Sequence, residues 1–173
     1  GVTVVGCTAN ETWDDTIESL ETFANVKAVV RAHPHAYLVR SAADLDRQEN
    51  RDKLGVVLGL QNPKALSDSP RLIETFFDLG LRCLSLAFSE NSYYGCGHAN
   101  EVDTGLTTLG RHAIKRMNEL GILLDLSHSG DRTALEAVEL SEQPPIFTHS
   151  TSRKLFNRPR SAPDPLIVAA AKD

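Results

Sequence analysis

The chain has 173 residues, 41% hydrophobic and 24% charged, with a formal net charge of −5. That is enough for one domain with a real core, and the acidic balance argues against nucleic acid or an anionic membrane as a partner. No apolar run approaches the ~20 residues needed to span a bilayer, and no leader with a basic start and an apolar centre is visible.

Gly1 to Ala9 alternates β-branched and small residues and reads as a buried strand, 2–9. Thr12 or Asp14 is placed to cap the helix that follows. Ile17, Leu20, Phe23, Ala24 and Val26 to Val30 give that helix an apolar face, and His33-Pro34-His35 ends it. The His33/His35 pair reads as a surface loop rather than a metal pair. Tyr37-Leu38-Val39 is a minor strand, and Ser41 opens a short charged helix with a solvated face. The run GVVLGL, 55–60, is continuously apolar, as in a strand covered on both sides, and Gln61-Asn62-Pro63 terminates it. Ser69-Pro70 marks a helix start, the helix runs 71–79, and Gly80 ends it. RCLSLAF, 82–88, is a further strand.

Residues 89–106 form a long loop of the kind that often lies over a barrel site. Thr107 or Thr108 caps a helix to Leu120, and Gly121 closes it. Two short apolar runs follow, 122–127 and 145–148, joined by a helix from Asp131 to Ser141. Each run ends in a histidine, His128 and His149. A basic loop with Arg153, Lys154, Arg158 and Arg160 leads to a last helix at Asp164 or Pro165. Five strands alternating with helices predict a parallel sheet with helices outside. No GxGxxG or GxxxxGK[ST] turn follows any strand, which disfavours a dinucleotide or P-loop fold.

In an α/β barrel the carboxyl ends of the strands form the active-site face. Those ends carry Gln61, Phe88, His128 and His149. Neutral imidazole is a common ligand for zinc and similar ions, so His128 and His149 are candidate metal ligands. Asp125, three residues before His128, falls on the other face of its strand and is expected to support rather than bind. Arg160 offers a planar two-pronged donor set suited to a carboxylate. Cys7, Cys83 and Cys96 are an odd count without zinc-type spacing, which fits reduced thiols in a cytoplasmic protein.

The segments MNELGILLDLSHSG and PPIFTHSTSRKLFNRPRSAPD resemble the membrane dipeptidase (renal dipeptidase) family of zinc peptidases, peptidase family M19. LGLRCLSLAFSENS, TGLTTLGRHAIKRMNELG and GVVLGLQNPKAL are similar to other sections of the same family, in the same order. The resemblance covers nearly the whole chain. It implies a (β/α)8 TIM-type barrel of the metallo-dependent hydrolase fold that cleaves dipeptides at a pair of zinc ions. It places His128 and His149 at metal positions and Arg160 at the substrate carboxylate. It also implies an HxD motif before Gly1 and an acidic residue beyond Asp173, so residues 1–173 read as a single incomplete barrel domain within a longer protein.

Two positions depart from the family pattern. Gln61 stands where a carboxylate bridges the two ions, and Phe88 where a histidine contacts the substrate. An amide cannot offset two cations, so the expected cofactor is zinc, as one ion or two in the complete protein, with Gln61 weakening the second site. The resulting expectation is a zinc-dependent dipeptidase-like hydrolase acting on a dipeptide or related amide, with this stretch inactive alone and a homodimer as an open assembly state. The alternatives are a catalytically silent barrel of the same family that binds a ligand, and an unrelated barrel enzyme whose basic loop takes phosphate.

Overall fold

The computed structural model describes residues 1–10 and 15–171. Five strands form one parallel sheet: β1 Val4–Thr8, β2 Ala36–Leu38, β3 Leu54–Leu60, β4 Leu81–Ser85 and β5 Leu123–Asp125. Six helices alternate with them: α1 Thr16–Ala32, α2 Ala43–Asp46, α3 Leu72–Leu79, α4 Thr108–Leu120, α5 Asp131–Leu140 and α6 Asp164–Ala170. The order across the sheet is β1-β3-β4-β5. β1 pairs with residues 55–59 of β3, β2 with 54–56 and β4 with 58–60. Both β2 and β4 overlap the β1 register, so they share the opposite edge of β3, one after the other. Successive strands beside one another with helices outside make this a section of an α/β barrel.

β3 is the centre because its sequence, LGVVLGL, is apolar on both faces, and it is mostly buried. Around it pack Leu58, Leu60, Ile73, Phe76, Leu84, Ile114, Met117 and Leu124, all almost wholly buried. Phe23 and Phe76 meet edge to face with ring centroids 5.2 Å apart, the geometry their quadrupoles favour.

Several expectations need correction. β1 is not a buried strand: Val4 and Val5 are 38% and 39% exposed, because among the described residues its only sheet partner is β3. The expected strand 145–148 is reduced to one parallel bridge, Asp125 to Ile146. Pro144 and Pro145 have no N–H to give a ladder, and the N–H of Thr148 goes to the Asp125 carboxylate instead. The fifth strand is therefore β2, the minor strand of the sequence reading.

The apolar face expected on α1 is also broken. Ser19, Phe23 and Val30 are buried, while Ile17 and Val29 are about two-thirds exposed. The residues Thr12 and Asp14 lie outside the described part, and the cap is Asp15, which accepts from the N–H groups of Ile17 and Glu18. Ser69-Pro70 does not cap α3: the helix starts at Leu72 without a side-chain cap. The charged segment after Ser41 is a solvated face as expected, exposed along most of its length, with Asp44 as the buried exception. It accepts from the N–H groups of Arg40 and Ser41 at 2.8 and 2.9 Å, and these bonds hold its carboxyl below the usual range. Gly80 and Gly121 do end their helices in the left-handed conformation, as glycine allows.

Candidate functional site

The sheet delivers the singled-out side chains to one mouth. Gln61 follows directly on β3, Phe88 lies three residues beyond β4, His128 three beyond β5, and His149 three beyond the bridge at Ile146. Gln61 Nε2 lies 2.6 Å from His128 Nε2 and 2.8 Å from His149 Nε2, and the two imidazole Nε2 atoms are 2.9 Å apart. Three side-chain nitrogens thus form a triangle whose every side is a hydrogen-bond length. Phe88 lies flat on the His128 ring, centroids 4.1 Å apart and planes 26° from parallel.

Hydrogen bonds fix the backbone of His128 and the ring of His149, while Nδ1 of His128 is buried without a hydrogen-bond partner. His128 has a left-handed backbone, φ 73°, a conformation rarely adopted by residues other than glycine and found at constrained sites. Its carbonyl accepts from the N–H of His98 at 2.8 Å, with the His98 ring Nδ1 at 3.1 Å. Asp125, 4% exposed, does not reach the triangle. It accepts from Thr148 Oγ1 at 2.6 Å, and Thr148 Oγ1 lies 2.6 Å from His149 Nδ1. With the hydroxyl proton given to Asp125, Nδ1–H of His149 must donate to Oγ1. The Nε2 lone pair of His149 is then turned into the triangle, the tautomer logic found behind metal-binding histidines.

Charge is scarce at this point. Burial, then the Arg160, His149 and His98 charges, push the His128 imidazole down to about 3. Burial and Arg160 also lower His149, and burial lowers His98. The imidazoles are therefore neutral near pH 7. The Gln61 amide can donate to both Nε2 atoms, but then no proton lies between the rings, and two lone pairs face each other across 2.9 Å. A cation would resolve that opposition. Among the described residues, no three His, Cys, Asp or Glu side chains are grouped to hold a metal, so the donor set on offer is two imidazoles and one amide. That set supplies two imidazoles, a donor type that zinc accepts, and lacks the carboxylate that would complete a mononuclear site or bridge two ions.

Arg160 stands at the edge of this centre. Its Nη2 donates to the His149 carbonyl at 2.8 Å, and its Nη1 is buried without a hydrogen-bond partner. Burial lowers its pKa. The other two arginines of the loop are engaged elsewhere: Arg153 grips Asp131 with two prongs at 2.5 and 2.7 Å, and Arg158 lies over the Phe156 ring. His33 and His35 are exposed, as expected of a surface loop.

His98 and Thr148 were not anticipated. His98 is the one histidine in the loop 89–106, and a loop expected over the site was the only hint. The loop is pinned by Asp103, which accepts from the N–H groups of Arg132 and Thr133, from Thr133 Oγ1 and from the N–H of Gly105.

A barrel section with an imidazole-rich centre at its carboxyl face defines the metallo-dependent hydrolase type of α/β protein. The model of the membrane dipeptidase family (peptidase family M19) matches residues 3–173, and the chain belongs to that family. Mouse dipeptidase 3 is 30% identical over 161 residues, 90% of this chain and 32% of its own length. A dipeptidase from Claviceps purpurea is 29% identical over 132 residues, 75% of this chain and 31% of its own. A solved amidohydrolase from Pseudomonas aeruginosa superposes with a TM-score of 0.90 at 28% identity, covering 97% of this chain and 51% of that one. A metallo peptidase from Rhodobacter sphaeroides, liganded with a phosphinate mimic of the dipeptide L-Ala-D-Ala, shares the fold with a TM-score of 0.81 at 23% identity, covering 90% and 46%. The chain thus spans about a third of the length of the curated relatives it matches. No helix among the described residues is long and apolar enough to cross a membrane.

Proposed function

We propose that the intact protein is a zinc-dependent dipeptidase-like hydrolase with its centre at His128, His149 and Gln61. The observation that carries this reading is the triangle of nitrogens at 2.6, 2.8 and 2.9 Å beside a buried, unpaired arginine prong. His128 and His149 would hold one ion through Nε2, and half a turn of the Gln61 amide would present its oxygen as a third donor. A divalent ion held there supplies Lewis acidity toward water and the amide carbonyl.

The residues of this chain then do the following. Arg160 pairs with the free carboxylate of the substrate through Nη1 and sets its orientation. The Asp125–Thr148 relay holds the His149 tautomer, and His98 holds the backbone of His128. Phe88 covers one face of His128 and excludes water there. Catalytic zinc is usually held by three protein ligands that include imidazole, carboxylate or thiolate. Two imidazoles fall short of that, so activity is assigned to the intact protein and not to these 173 residues alone. The three free cysteines support a cytoplasmic setting.

A second reading is favoured by Gln61 and Phe88 themselves: a silent barrel that binds a carboxylate ligand without cleaving it. Zinc content and dipeptide turnover of the intact protein separate the two. Bound zinc with turnover supports the hydrolase. Ligand binding without turnover supports the silent barrel. Neither zinc nor turnover ends the hydrolase reading.

A further inference from the structure

A cleft of about 480 Å³ opens directly beside the centre, between the turn at residues 62–64 and the loop at 88–93. Both segments leave the carboxyl ends of neighbouring strands, β3 and β4. Phe88 forms the partition. One face of its ring lies 4.1 Å from His128, and the same residue lines the cleft. Pro63 and Tyr93 supply further apolar wall, polar residues including Lys64 and Glu90 complete the lining, and Tyr93 is 59% exposed. Arg160 reaches the centre from another direction, through His149. A ligand whose carboxylate is held at Arg160 and whose amide lies at the triangle has the cleft behind Phe88 available to the group on the amino side of that amide.

We infer that this cleft is the side-chain pocket for the amino-terminal residue of the substrate, and that it takes a bulky apolar, preferably aromatic, side chain. The inference rests on the dipeptidase-like reading and adds a substrate class to it. Cavities that enclose drug-sized ligands run from roughly 300 to 1,000 Å³. A methyl side chain would leave most of this one wet, whereas a phenyl ring can face Phe88 and Tyr93 in the offset or edge-on arrangements that aromatic pairs prefer. Phe88 thereby gains a purpose at a position where the family carries a substrate-contacting histidine.

The test uses uncleavable probes, phenylalanyl-glycine and alanyl-glycine with the amide replaced by a methylene-amine, each as free acid and as carboxamide. Their binding to the zinc-loaded intact protein is measured by calorimetry. A single methylene in an apolar pocket is worth roughly 10- to 200-fold, so the phenyl probe is expected to bind at least about tenfold more tightly than the methyl probe. Tyr93→Ala lies away from the histidines and should cut that ratio to about threefold or less, and Phe88→Ala should do the same. Equal binding of phenyl and methyl probes, or a ratio unmoved by Tyr93→Ala and Phe88→Ala, overturns the pocket. Indifference to the carboxamide change overturns the Arg160 role and leaves the pocket standing on the phenyl-to-methyl ratio. No binding of any probe overturns both.

Discussion

His98 addresses the carbonyl oxygen of His128 with two groups, its backbone N–H at 2.8 Å and its ring Nδ1 at 3.1 Å. These contacts fix a residue whose φ of 73° is otherwise disfavoured. His98→Ala keeps the main-chain bond and loses the ring. The expected cost is about 0.5–1.5 kcal/mol of stability, the net worth of one such bond, with a measurable drop in zinc affinity. His98→Asn restores a short side-chain donor and should recover part of both. Chemical denaturation and competitive zinc titration are the measurements, and an unchanged zinc affinity in His98→Ala would count against the clamp.

Asp125 organises the other ring. It is buried and accepts from Ser85, from the N–H groups of Ser127 and Thr148, and from the Thr148 hydroxyl. Asp125→Ala strands several donors, each costing ~1–3 kcal/mol when buried, so a loss of about 3–5 kcal/mol is expected. Outer-shell partners of metal histidines are worth about 10- to 100-fold in metal affinity. Zinc binding should weaken by that factor in the milder Asp125→Asn, where folding can be checked by circular dichroism.

Gln61→Glu places a negative charge at the point shared by both imidazoles. Bridging carboxylates hold paired ions about 3.5–4 Å apart, so bound metal per intact protein should rise toward about two ions. Elemental analysis after dialysis reads this directly. A count that stays unchanged would show that Gln61 does not occupy the bridging position.

Arg160→Lys removes the planar fork while keeping charge. Binding of a free-acid dipeptide should weaken roughly 10- to 100-fold, the equivalent of ~1.5–3 kcal/mol for a charged hydrogen bond. Binding of the matching carboxamide should barely move. In a turnover assay the change belongs mainly in KM.

Asp103 sets a pH dependence for the loop 89–106. Burial alone would raise its pKa, but the hydrogen bonds from Thr133, Gly105 and Arg132 outweigh it, and the folded-state value lies below the ordinary 3.8. The sign follows. Above pH ~3.8 the carboxylate is charged in both states and its contribution to stability is complete. As pH falls below that value the unfolded chain takes up a proton first, and the contribution drains away until the folded carboxylate is protonated too. Protection of the Gly105 and Thr133 amides, expressed relative to their intrinsic exchange rates, should therefore fall as the pH drops below ~3.8, and Asp103→Asn should remove that acid-dependent component.

The parallel order of strands and the mouth of the barrel were readable because β3 and β4 are short apolar runs with turn residues behind them. Gln61 and Phe88 stand at the ends of those runs, His128 and His149 at the ends of the two short runs that come later, and strand ends fix where such residues go. What local pattern hid was side-chain traffic with the main chain. The strand at 145–148 failed because two prolines and the Asp125 carboxylate withdraw the donors a ladder needs. His98 went unseen because its work is done on a carbonyl 30 positions away, along a loop path no periodicity describes. Arg153 and Arg160 look alike in sequence, and only the position of Asp131 shows which of them is already taken.

The outward edge of β1 carries one more consequence. Among the described residues β1 pairs on one edge only, beside Val2, Val4 and Val5, all more than a third exposed, and an edge of this kind can accept another extended backbone. Yield of these 173 residues expressed alone should accordingly rise when a lysine is placed at Val4.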